Sequence, residues 1–107
     1  MSVHIDAKYL QDVHDVQDAL DKMRKLEEQM RNPDREGIIR ALMDARQKAM
    51  CEIVALECAQ GQYQIMPPET FSNEQLYAKL RQYWFGLQAY CINKVGEQLY
   101  NQLKNER

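Results

Sequence analysis

Glycine and proline are scarce in this chain, four and three among 107 residues. Collagen-like repeats, turn-dense β-sandwiches and low-complexity linkers all need more of both, so none of these is expected. A dominant charge is also missing: 14 basic residues face 16 acidic ones, for a formal net charge of -2. Sequence-independent binding to nucleic acid depends on clustered Lys and Arg that neutralise phosphates, and this balance argues against it. Long apolar runs are absent too. The longest uncharged stretch lies between Arg81 and Lys94 and includes Gln82, Gln88 and Asn93, too short and too polar to cross a bilayer.

Cysteine is sparse and unpaired in its spacing. Cys51, Cys58 and Cys91 make an odd number without a CxxC motif, which excludes a disulfide framework and a thiolate metal site. Burial inside a domain in a reducing compartment is expected for them. The segment Met1 to Asp6 has no basic n-region and no apolar h-region, so the expected location is the cytoplasm.

The motifs that carry chemistry are missing as well. His4 and His14 lie ten residues apart, without the His-x-x-x-His or Glu-x-x-His spacing of a helix-borne metal site. There is no glycine-rich phosphate loop and no arrangement of nucleophile and base. No catalysis, metal or cofactor is therefore expected. Asp12, Asp15, Asp18 and Asp21 recur every third residue and wind around a helix instead of forming one acidic face, weak support for a nucleic-acid mimic.

What is present is helical periodicity, and it predicts a single all-α domain spanning residues 1–107. Three long amphipathic helices are expected in an antiparallel, coiled-coil-like bundle. In the first, near 6–31, Ile5, Tyr9, Asp12, Val16, Ala19, Met23, Leu26 and Met30 follow a 4-3 alternation that suits a helix seam. The second, near 33–60, follows Asn32 and Pro33 and carries Ile39, Leu42, Arg46, Ala49, Ile53 and Leu56 in the same register. A further row of Ile38, Met43, Met50 and Val54 predicts a helix covered on more than one side. Gly61 is placed to end it, and 61–72 forms a connector through Pro67 and Pro68. The third and longest helix, near 73–105, opens with a capping box of Ser72 and Gln75 and a staple of Phe71 and Leu76.

Function has to be sought on the helix surfaces. The third helix carries two apolar rows, the first through Leu76, Leu80, Tyr83, Leu87 and Tyr90. The second runs Phe85, Ala89, Ile92, Gly96, Leu99 and Leu103, and its small residues would let a neighbouring helix approach closely. With Tyr83 and Trp84 these positions are the expected partner-binding or dimer seam, since interface hot spots favour Trp and Tyr. Met23, Met30, Met43 and Met50 fall in or beside the seams, where core filling is expected of them. Asp12 and Arg46 are charged exceptions at seam positions and form a candidate buried pair. The expected function is a non-catalytic protein-binding module that works as a homodimer through its helix surfaces: an adaptor, a secretion-type chaperone or an inhibitor. The alternative is a nucleic-acid-associated regulator using Arg24, Lys25, Arg31, Arg35 and Arg40 as a local basic patch.

Overall fold

The computed structural model describes residues 7–61 and 68–106. They form α1 (Ala7–Arg31), α2 (Arg35–Lys48), α3 (Met50–Ala59), a 3-10 turn (Pro68–Thr70), α4 (Asn73–Val95) and α5 (Glu97–Asn105). There is no strand among the described residues, and the fold is all-α, as the periodicity predicts. His4, Ile5, Asp6 and half of the expected connector, 62–67, lie outside the described residues. The chain does not contain three uninterrupted helices: the second breaks at Ala49 and the third at Gly96.

In α1 the predicted seam holds through the middle, where Val16, Ala19, Met23 and Leu26 are buried. The turn into α2 is tight. The Asp34 amide donates to the Gln29 side-chain carbonyl at 2.9 Å, and the Asp34 carboxylate accepts from the Gly37 amide at 3.1 Å. Asp34 therefore caps α2, two residues past the predicted start, and satisfies an amide that the helix itself leaves without a partner. A Cβ at position 37 would meet the end of the Gln29 side chain, so a larger residue there would push that flexible side chain away from its bond to Asp34.

The break at Ala49 was not legible in sequence. Gln47, Lys48, Ala49 and Met50 include neither proline nor glycine, yet Ala49 takes φ -124° and ψ 41°, outside the helical region. The reason is tertiary: beyond the break, Ile53 packs against Gly86 while Glu57 meets Arg46 and Lys79. This bend also sets the topology. Asp12 lies near Lys94 at 4.0 Å and Glu27 accepts from Trp84 at 2.9 Å, so α1 and α4 run antiparallel. Arg35 bonds Asn73 and Arg46 bonds Tyr83, so α2 and α4 run in the same direction. The chain achieves both because α3 runs back across α4.

The capping box at the start of α4 forms as predicted. Ser72 accepts from the Gln75 amide at 3.2 Å, and the Gln75 side chain accepts from the Ser72 amide at 2.8 Å. Phe71 and Leu76, the staple residues, are both buried. At Gly96 the backbone takes φ 86° and ψ 159°, a region open essentially to glycine, and α5 starts on a new axis. The core joins all five helices through residues such as Leu26, Leu42, Ile53, Leu87 and Tyr100.

Candidate functional site

The predicted seam on α4 and α5 is not one continuous exposed row. Tyr83 is buried, and Leu103 is 8% exposed. Ile92 and Leu99 are partly covered and pack against the core, and Ala89 is half-buried. Gly96 is exposed but lies in the break between helices, so it offers no close approach along a seam. The close approach is instead at Gly86, where a Cβ would collide with the Ile53 side chain of α3. Bending the chain at Gly96 turns the lower half of the row inward.

What stays open is the upper end. Phe85 is 50% exposed and Met30 40% exposed, and with Glu27, Arg81 and Trp84 they line a cleft of about 280 Å³ between α1 and α4. Trp84 is held firmly. Its indole N–H donates to Glu27 at 2.9 Å, Phe85 meets it edge-on at 5.2 Å, and the Lys104 ammonium lies 5.5 Å from its ring centre. Lys104 also covers Tyr100, at 5.9 Å. The aromatic wall of the cleft is thus fixed by contacts from α1 and α5.

Asp12 and Arg46, the candidate buried pair, are placed with other partners. Arg46 donates to Glu57 at 3.1 Å and to the Tyr83 hydroxyl at 3.2 Å, whereas Asp12 faces Lys94. Glu57, 1% exposed, also accepts from Lys79 at 2.8 Å; Lys79 donates to Gln82 at 3.0 Å, and Gln82 to Gln60 at 3.0 Å. This network ties α2, α3 and α4 together. Burial holds the Tyr83 hydroxyl above its ordinary pKa, against the pull of the Arg46 hydrogen bond. Sequence reasoning missed Glu57, although a signal was there: it stands one turn beyond Ile53, on the same face of α3.

A second charged layer joins α1, α2 and α4. Lys48 reaches Asp15 at 3.2 Å and Asp18 at 3.4 Å, Lys94 reaches Asp15 at 3.7 Å, and both ammonium groups lie under 6 Å from the Tyr90 ring centre. Burial alone would raise the Asp15 pKa, but hydrogen bonds from Lys48 and Gln11 and the charges of Lys48 and Lys94 outweigh it and lower it. The acidic ladder of α1 is partly neutralised by this layer.

The basic patch does not assemble as one surface. Arg35 is engaged by Asn73 and by the Glu69 and Phe71 carbonyls, Arg31 pairs with Glu28, and Arg24 with Asp21. Lys25 and Arg40 line a groove that also contains Asp44. The cysteines and methionines depart from expectation too: Cys91 is buried, but Cys51 and Cys58 are exposed, and Met43 and Met50 are 50% and 54% exposed. Of the four seam methionines, Met23 alone is buried.

Among the described residues no cluster of His, Cys, Asp and Glu is placed to hold a metal ion, and no helix is long and apolar enough to cross a membrane. The chain matches no family model, no curated protein and no solved structure in comparisons with each.

Proposed function

We propose that the chain is a non-catalytic protein-binding module that receives an amphipathic helix of another protein along the α1–α4 cleft. The observation that carries this reading is the half-exposed pair Phe85 and Met30, set beside a Trp84 whose ring is already fixed by Glu27 and Lys104. An apolar surface with a rigid aromatic wall loses little side-chain freedom when it is covered, which is what makes aromatic residues effective anchors. Aliphatic side chains one turn apart on the incoming helix would fill the space between Met30 and Phe85. Arg81, exposed at the rim, would face a carboxylate. The partner is thus an apolar helix with an acidic flank.

Capture from the native cell with wild type and with Phe85→Glu and Met30→Glu tests this. One protein should be retained by wild type and lost with both variants. Trp84, the single tryptophan, then reports binding of that purified partner by its fluorescence. If no captured protein depends on Phe85 and Met30, the cleft is not the binding surface. Salt-sensitive retention of nucleic acid would favour the basic-patch reading instead.

A further inference from the structure

The chain bends between helices at two points that differ in kind. At Gly96 the backbone takes φ 86°, so the break between α4 and α5 is built into the residue itself. At Ala49 nothing local requires a break. From Ile38 to Gln60 the chain has neither proline nor glycine, and Gln47, Lys48, Ala49 and Met50 all favour helix. The helical bonding pattern even continues on both sides: the Ala49 amide donates to the Ala45 carbonyl at 2.9 Å, and the Ala49 carbonyl accepts from the Ile53 amide at 3.0 Å. One residue therefore separates the bent chain from a continuous helix, with φ -124° and ψ 41° in place of about -63° and -42°. No side chain caps the start of α3, where a continuous helix would offer carbonyls of α2 to the first amides.

We propose that α3 is a hinged strap: the chain has a second conformation in which α2 and α3 join through Ala49 into one helix and α3 leaves α4. The contacts that hold the bend suit a latch. Ile53 is the one apolar side chain that α3 buries, and it fills the space beside Gly86. Val54 and Leu56 are only half-buried, and Cys51, Ala55 and Cys58 are exposed already. The rest of the attachment is ionic, with Glu57 answered by Lys79 at 2.8 Å and by Arg46 at 3.1 Å. Opening returns all three charged groups to water, so regained hydration offsets the lost attraction, which it does not when one partner is deleted and the other stays buried. The covalent chain permits the motion. A straight helix from Arg35 to Ala59 measures about 36 Å. The fourteen residues from Ala59 to Asn73, which Arg35 bonds, can span up to about 48 Å. Opening bares Lys79, Gln82 and Gly86 on α4, where the closed form seats a helix. The strap is separate from the α1–α4 cleft and stands whether or not that cleft binds anything.

Distances between two spin labels test this. Cys58 and Ala78→Cys, both at exposed sites, carry the labels in a Cys51→Ser background, and Cys91 is buried and stays unlabelled. The closed form gives a short distance, since Glu57 and Lys79, the neighbours of the two sites, are in contact. Opening lengthens it by on the order of 20 Å, the swing of the arm from Ala49 to Cys58. Ile53→Ala removes the apolar anchor and should raise the ratio of long to short distance about 30-fold or more, with helical content equal to or above that of the parent. Adding Met50→Pro should abolish the long distance, because proline suits the first position of α3 and cannot sit inside a continuous helix. Should that variant fail to fold, Met50→Gly at the same exposed site should cut the ratio about fivefold. A single short distance in both the parent and Ile53→Ala overturns the strap, as does a long distance that neither change at Met50 reduces. A long distance that comes with lost helical signal, or with fast amide exchange confined to α3, overturns it too, because α3 then melts and does not join α2.

Discussion

Arg46 and Glu57 are eleven residues apart and joined by a 3.1 Å ion pair. In a continuous helix they would share a face with Cα atoms about 16 Å apart, too far for the two side chains to meet. The pair therefore exists because the helix breaks at Ala49, and it helps hold the broken form. Glu57 is the hinge of this arrangement, since it also answers Lys79.

Removing Glu57 leaves Lys79 buried without its counter-ion, and Glu57→Ala should lower the unfolding free energy by about 3–5 kcal/mol. Arg46→Ala should cost less, because its side chain is 26% exposed and Lys79 keeps its partner. Urea denaturation of both variants checks the order. Equal, small losses would mean that the apolar contacts of Ile53 alone hold the bend.

Gly86 is the contact point of α3 and α4. Gly86→Ala places a methyl group into Ile53 and should destabilise by about 1–3 kcal/mol, although alanine is the better helix former. In an Ile53→Ala background the same change should cost much less, since the obstructing side chain is gone. Additive losses in a double-mutant cycle would place the conflict elsewhere.

Gly96 holds a backbone conformation that an L side chain resists. Gly96→Ala should cost about 1–3 kcal/mol or fuse α4 and α5 into one helix that pulls Tyr100 and Leu103 from the core. Thermal unfolding followed by helical content distinguishes the two. An unchanged midpoint with unchanged helicity would contradict the break.

The layer around Asp15 and Lys48 predicts a pH dependence. Asp15 is held below its ordinary 3.8, so its contribution is fully present above that value and is lost as pH falls through the lower folded pKa. For Lys48, burial pulls down but the Asp15 hydrogen bond, Tyr90 and Asp18 raise it above 10.5. Its contribution is present below 10.5 and lost as pH rises through the higher folded value. Asp15→Asn should therefore lower the urea midpoint at neutral pH, with the gap to wild type closing in acid below 3.8. A gap that persists in acid would assign the effect to packing and not to charge.

Local chemistry made much of the fold legible. The 4-3 alternation of α1 is written in its side chains, and the start of α4 is fixed by Ser72 and Gln75, neighbours whose bonds need nothing from the rest of the chain. The all-α class follows from the same short-range rules. The break at Ala49 depends instead on where Gly86, Lys79 and Tyr83 sit, residues thirty or more positions away, and no window of sequence contains them. The exposed face followed the same logic. Periodicity told which residues are apolar, so Phe85, Met43 and Cys51 were all visible as apolar, but which row a helix buries is a competition among faces. Bending the chain at Ala49 and Gly96 decided that competition, covering Leu103 while leaving Phe85, Met50 and the cysteines of α3 in water.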